Sequence, residues 1–365
     1  MLRALARVDL GAIERNARRL AAVAGPAKLC AVVKADAYGH GMVPAARAAQ
    51  GGGASWLAVA TAEEARGLRE GGLEGPVLVM GALSDEELAV AVAARADVVA
   101  WREAFVDRLA GLPGAAGTAV HVKLDTGMGR LGTRDAGEAT RVAAAVAATE
   151  SLRLAGAMTH FATADDDPGF LAEQLAAFSP WARALKVAHP EILIHAANSA
   201  ATLREPAAHF DLVRCGIALY GLDPFHEDPA AHGLEPALTL VSYVAEVKAA
   251  EPGQSAGYGR RFVAERATRI GTLPIGYADG VRRGLSNNAD VLVGGRRVPL
   301  VGTVSMDNLT VDLGDADVAP GAEAVLIGAQ GGERVPAEEW ARRLGTINYE
   351  VTCGISARVP RVHGP

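Results

Sequence analysis

Short β-rich runs alternate with Ala-, Arg- and Glu-rich stretches through the first 216 residues, and this alternation constrains the fold more than any other feature. The runs are LCAVVK (29–34), WLAVA (56–60), PVLVM (76–80), DVVA (97–100), AVHVKL (119–124), LAGAMTH (154–160), ILIHAA (192–197) and LVRCG (212–216). Stretches between them, such as TAEEARGLREGG and SDEELAVAVAARAD, carry helical periodicity. Ser84 followed by Glu87 fits a helix-capping box. Eight strands alternating with helices, at a mean repeat of roughly 26 residues, are what a closed (β/α)8 TIM-type barrel requires. The runs at 76–80 and 97–100 are the weakest, so an open doubly wound sheet stays as the alternative.

The texture changes at LYGLDPFHEDPAAHGLEPAL (219–238), where Pro224, Pro229 and Pro236 mark a linker or long crossover. Beyond it the helical period largely disappears. TLVSYVAEVKAA alternates, and VLVGGRRVPLVG places Gly294–Gly295 between two runs as a hairpin turn. VSMDNLTVDLG and AEAVLIG read as further strands, with one helix around 336–345. The expectation is an α/β chain: a barrel over residues 1–235, its first ten or so able to pair with the C-terminal part, then a mainly β domain over 236–365.

Charge and apolar content narrow the function. A formal net charge of -6 without a basic stripe argues against nucleic-acid binding. No apolar run approaches the roughly 18 residues of a spanning helix. The N-terminal MLRALARVDLGAIERN lacks the apolar core of a secretory signal, which implies a cytoplasmic protein. Cys30, Cys215 and Cys353 sit in apolar or strand-like segments and read as small buried side chains in a reducing compartment, with no metal role.

Chemistry in a barrel gathers at the C-terminal ends of its strands. Lys34, Lys123, His160, Asn198 with Ser199, and Arg214 all fall there. A lysine ending an apolar strand begins in surroundings that disfavour its charged form, and a neutral amine attacks carbonyls. In HVKLDTGMGRLG, Gly127, Gly129 and Gly132 turn the backbone around Arg130, whose planar fork suits a carboxylate. Ser199 and the backbone N–H groups of Gly216 and Ile217 suit a phosphate, which needs no large basic patch.

AVVKADAYGHG, HVKLDTGMGRLG, NSAAT, RCGIALYG, GYGRRF, IGYADGV, VGTVSMDNL and INYEVTC follow one another in this order. With these motifs the chain resembles the alanine racemases, enzymes that use pyridoxal phosphate (PLP). The resemblance runs over nearly the full length. It implies that Lys34 holds PLP covalently and handles the D-enantiomer's proton, while Tyr258 handles the L-enantiomer's. His160 is then the histidine linking that tyrosine to Arg214, which faces the pyridine nitrogen and can only donate. Such a nitrogen stays unprotonated, which favours proton return over transamination. Replacing Arg214 with glutamate is expected to raise side-product formation.

Tyr38, Ser199, Gly216, Ile217 and Tyr349 match the family's phosphate-binding set. Arg130 and the backbone N–H of Met306 match groups at the substrate carboxylate, and Tyr277 and Asp307 match residues that narrow the entrance. Lys123 matches a lysine carbamylated in several members. Ser305 stands where many relatives have cysteine. The resemblance further implies a head-to-tail homodimer with shared active sites, with Tyr258, Tyr277 and Met306 reaching the partner's barrel mouth, and D-alanine supplied for peptidoglycan. Rival readings are a serine or broad-specificity racemase, a non-catalytic PLP-binding barrel, and a metal-dependent hydrolase using His121, His160 and His195 around a carbamylated Lys123.

Overall fold

Strands whose two faces are both covered read as near-continuous apolar runs, and the first part of the chain is built of such runs, broken by a few buried polar residues. A computed structural model describes residues 2–364. After β1 (Ala4–Asp9) come β2 (Lys28–Val32), β3 (Ala54–Val59), β4 (Val77–Val79), β5 (Asp97–Ala100), β6 (Thr118–Lys123), β7 (Leu152–Met158), β8 (Leu193–His195) and β9 (Leu212–Cys215). The strands β2 to β9 form one parallel sheet in the order β8-β7-β6-β5-β4-β3-β2-β9. The sheet closes on itself: Asp211 N–H donates to the Ile194 carbonyl (3.0 Å) and Arg214 N–H to that of Ala197 (2.9 Å). Closure sets aside the open doubly wound alternative and leaves the barrel.

The helices that cover the barrel start and pack for local reasons. Ser84 accepts from Glu87 N–H while Glu87 Oε2 accepts from Ser84 N–H at 2.9 Å, so the expected capping box opens the helix Asp85–Ala93. A second box, Thr61 with Glu64, opens Ala62–Glu70, which buries Ala62, Ala65 and Leu68 at one-turn spacing.

Several expected strand ends move. β2 stops at Val32, so Lys34 lies beyond it and opens a turn instead of ending a strand. Likewise β7 stops at Met158, leaving His160 in the following loop. The backbone leaves the strand ladder there to form the turn that Lys34 opens and the loop that follows Met158.

The later strands are β10 (Leu238–Tyr243), β11 (Glu246–Ala250), β12 (Ser255–Ala256), β13 (Phe262–Val263), β14 (Thr268–Leu273) and β15 (Asp290–Val293). They continue with β16 (Arg296–Val301), β17 (Leu309–Gly314), β18 (Glu323–Gln330), β19 (Glu333–Val335) and β20 (Arg361–Gly364). One path runs β11-β14-β17-β16-β15-β18-β10-β1-β20, with β12 and β13 forming a separate pair. Gly294 and Gly295, at φ +60° and +74°, make the expected β15–β16 hairpin turn, which requires positive φ at both positions. Only the end of VSMDNLTVDLG is strand; Val304 to Asn308 form a loop. The expected helix is Ala337–Leu344.

The described chain divides into two compact units. One holds residues up to Ala12, His226–Ala231 and everything from Glu235 onward; the other holds Ile13–Phe225 and His232–Leu234. Cys30 and Cys215 are buried as expected, but Cys353 is exposed, because it ends the short helix Asn348–Cys353 at its solvent side. No helix among the described residues is long and apolar enough to cross a membrane.

Candidate active site

Past β2 the backbone does something its sequence does not announce. Ala35, Asp36, Ala37 and Tyr38 all adopt left-handed helical angles, with φ between +52° and +56°. Each such residue with a Cβ costs roughly 1–2 kcal/mol. Side chains hold the turn: Glu64 Oε1 accepts from Ala35 N–H (2.6 Å), and Asp36 Oδ1 accepts from Met42 N–H (2.7 Å). His40 Nδ1 donates to the Ala37 carbonyl (2.9 Å), and the His40 ring stacks on Tyr220 with centroids 4.5 Å apart. Tyr220 in turn donates to the Val32 carbonyl at 2.8 Å.

The turn swings the Tyr38 phenol onto the end of β9. A Cβ on Gly216 would lie 2.4 Å from Tyr38 Oη, so only glycine admits the phenol there. Ser199 Oγ accepts from Gly216 N–H at 3.0 Å, and Ile217 follows in the same segment. Two hydroxyls and the backbone N–H groups around Gly216 thus converge, the donor set of a phosphate cradle without a cation. Lys34, half-buried, begins the same turn that ends on Tyr38.

Like charges and burial shape the rest of the mouth. Arg214 is buried, and its guanidinium donates to the Thr159 carbonyl (2.8 Å), the Ala196 carbonyl (3.0 Å), His195 Nδ1 (2.9 Å) and His160 Nδ1 (3.3 Å). Burial pulls Arg214 down to about 10, which leaves it charged at neutral pH. His160 is held well below the usual histidine range by burial and by the cations of Arg214, Lys123, Arg130 and Lys34, so it is neutral and accepts from Arg214.

Lys123 is buried at the end of β6, and burial, helped by Arg214 and Arg130, lowers it to about 8. Arg130 itself is exposed on the glycine turn. Gly127, Gly129 and Gly132 have φ of +140°, +69° and +114°, and Asp125 accepts from Gly127 and Gly129 N–H groups at 3.1 Å, which fixes the loop.

The other candidates lie in the β-rich unit. Tyr258 is 74 % exposed, Met306 52 % and Tyr277 43 %. The Tyr277 and Met306 segments are laced together: Tyr277 N–H donates to the Ser305 carbonyl (3.0 Å) and Ala278 N–H to that of Met306 (3.1 Å). A Cβ on Gly276 would sit 2.3 Å from the Ser305 oxygen, so this lacing also requires glycine. Arg3 forks onto buried Asp279 (2.8 and 3.1 Å), while Arg358 holds Asp307 (2.8 Å). Tyr349 is half-buried at the start of Asn348–Cys353, its ring 6.4 Å from that of His226.

The structure therefore brings Lys34, Tyr38, Lys123, His160, Ser199, Arg214, Gly216 and Ile217 to one end of the barrel. Sequence reasoning missed Asp97 and raised His121 and His195 only in the rival reading of a metal-dependent hydrolase. They are hydrogen-bonded to one another, with His121 Nδ1 2.8 Å from His195 Nε2. The signal available was a polar residue inside an otherwise apolar strand.

Comparison with known proteins gives the same result along the whole chain. Residues 8–224 match the family model for the N-terminal domain of alanine racemase, and residues 237–363 match that for its C-terminal domain. An alanine racemase of Frankia casuarinae is 43% identical over 371 residues, covering 99% of this chain and 96% of that protein. The crystal structure of alanine racemase from Bacillus anthracis with bound L-Ala-P has a TM-score of 0.92 and 37% identity, over 100% of this chain and 96% of that one. Alanine racemase from Streptomyces coelicolor also gives 0.92, with 40% identity over 99% and 97% of the two chains.

Proposed function

The chain belongs to the alanine racemase family, a family dependent on pyridoxal phosphate, and from that premise we propose that it interconverts L-alanine and D-alanine through two acid–base groups, Lys34 and Tyr258. The observation that carries the reading is the left-handed turn, which Lys34 opens and which rests the Tyr38 phenol against Gly216.

The residues present fit the cofactor. Tyr38, Ser199 and the N–H groups of Gly216 and Ile217 would take its phosphate, with Tyr349 as a further hydroxyl. Lys34 would hold it covalently through Nζ, and Arg214 would donate to its ring nitrogen. Bound there, the cofactor supplies the electron sink that makes the α-hydrogen of an amino acid acidic.

The chain's own groups do the rest. Lys34 Nζ removes or returns the α-hydrogen on the D face, and Tyr258 Oη does so on the L face. A phenol near its reference value of about 10 is a poor base at neutral pH. His160, neutral and accepting from Arg214 at Nδ1, carries its proton on Nε2 and would donate it to the Tyr258 oxygen, steadying the phenolate. Arg130 and Met306 N–H orient the substrate carboxylate. Lys123, with an appreciable neutral fraction, is able to add carbon dioxide as a carbamate and so brace Arg130. Tyr277 and Asp307 narrow the entrance toward a small side chain, which favours alanine over bulkier amino acids.

Tyr258 is offered to solvent by its own chain, which supports a head-to-tail homodimer in which each site takes Tyr258, Tyr277 and Met306 from the other subunit. The test is complementation. Lys34→Ala and Tyr258→Phe proteins, each inactive alone, are mixed under conditions that exchange subunits. Random pairing places an intact pair in about a quarter of the sites, because the two copies are equivalent. Recovery toward a quarter of native turnover of L- and D-alanine is expected; no recovery with proven exchange would overturn the shared site.

A further inference from the structure

We propose that Asp97, His121 and His195 form a one-way hydrogen-bond relay through the barrel interior that positions Arg214 and supplies its counter-charge. The functional part of this inference rests on the reading that Arg214 faces the cofactor.

The direction of the relay follows from Arg214, which has donors only. Its Nη1 lies 2.9 Å from His195 Nδ1, so that nitrogen must carry the lone pair. The His195 proton is then on Nε2, 2.8 Å from His121 Nδ1, which must accept it. His121 in turn carries its proton on Nε2, 3.2 Å from Asp97 Oδ2. Both rings are thereby neutral and in the Nε2–H form, and each nitrogen has one assigned role. Burial and the Arg214 charge hold His195 well below the usual histidine range, which agrees with this assignment.

Placement is the second argument. Asp97 opens β5, at the end of the barrel away from the mouth, whereas His195 closes β8 and Arg214 lies near the end of β9. Barrel interiors are normally filled by branched apolar side chains. Buried polar groups in their place are costly unless every one is satisfied. The strand between the two histidines, β7, makes room for them: a Cβ on Gly156 would lie 2.2 Å from His121 Nδ1 and 2.8 Å from Cε1. The Trp56 ring meets His121 edge-on at 5.6 Å and seals the other side.

A third argument is charge. Among the described residues, none of the groups bonded to Arg214 is a carboxylate. Its lateral neighbours are the thiols of Cys30 and Cys215, which burial pushes up and so keeps neutral. A buried guanidinium without a counter-charge is strongly disfavoured. Two polarised imidazoles bring it the charge of Asp97 without a direct ion pair, leaving the rest of the guanidinium fork for the mouth.

Asp97, His121 and His195 are positioning residues, and the decisive measurement is the ¹⁵N spectrum of the histidine rings in the cofactor-loaded protein, assigned with His121→Gln and His195→Gln. Two rings in the Nε2–H form, neutral near neutral pH, are expected. Asp97→Asn keeps the acceptor but removes the charge. It should move both Nε2 resonances toward weaker hydrogen bonding, shift the absorbance of the bound cofactor and lower kcat roughly tenfold at unchanged KM, as removal of a carboxylate behind a ligating imidazole does. Gly156→Ala should perturb the same resonances from the opposite side. Either ring found charged or in the Nδ1–H form would overturn the proposal, as would a folded Asp97→Asn protein with unchanged spectra. A shift of the ring resonances without any change in cofactor absorbance would instead count against Arg214 facing the cofactor, while leaving the relay standing.

Discussion

In the barrel, Arg214 and Lys123 are buried, their charges lie close enough to disturb each other, and Arg214 is fixed through four hydrogen bonds. In the β-rich unit, Tyr258, Tyr277 and Met306 stand out from braced loops with much of their surface exposed. Both halves spend backbone freedom to place a side chain: four left-handed residues aim Tyr38, and the glycine-dependent lacing at Gly276 aims Tyr277 and Met306. The difference lies in what surrounds the side chain afterward. Low-dielectric surroundings tune the barrel groups within one chain, whereas the exposed groups of the β-rich unit depend on whatever later covers them.

The widest gap between the two halves should open on removal of the two bases. Lys34→Ala is expected to lose racemisation by at least about 10³-fold and also the covalent cofactor absorbance. Tyr258→Phe should lose about 10²–10⁴-fold in turnover and keep that absorbance. Loss of cofactor attachment in both variants would erase the distinction.

The two close-approach glycines sharpen it further. Gly216→Ala drives a methyl group into Tyr38 and is expected to weaken cofactor affinity about tenfold, for a strain of roughly 1–3 kcal/mol. Gly276→Ala should leave that affinity unchanged and raise KM for alanine, since it displaces only the Tyr277 and Met306 segments. Equilibrium binding and steady-state kinetics on the same preparations decide the matter.

The smallest effect concerns pH and tests whether burial tunes the barrel. Lys123 is lowered to about 8 from its ordinary 10.5. Below pH 8 the folded protein carries the full cost of a buried cation. Between about 8 and 10.5 the unfolded chain stays protonated while the folded one does not, so this contribution to stability improves as pH rises. Urea midpoints in carbon-dioxide-free buffer should therefore rise relative to Lys123→Met across that window. Parallel curves would mean that Nζ is not a free buried amine.

The barrel was legible because its evidence is local and repeated. Apolar runs of strand length, separated by helical periods and by capping signals such as Ser84 with Glu87, leave few other architectures. The site was legible mainly as motifs around Lys34, Arg130, Ser199 and Arg214. Its mechanics were not: ADAY contains no glycine, so nothing in it announces left-handed backbone, and Lys34 was expected at a strand end.

What the amino-acid order determined alone is the alternation of elements, the hairpin at Gly294–Gly295 and the identity of the polar residues near the mouth, all properties of neighbours along the chain. What only the tertiary structure decided is contact between distant segments: Glu64 pinning Ala35, Tyr38 resting on Gly216, and Asp97 reaching Arg214 through two histidines. Strained turns and buried polar chains persist only when remote groups satisfy them, and those groups carry no mark in the local sequence.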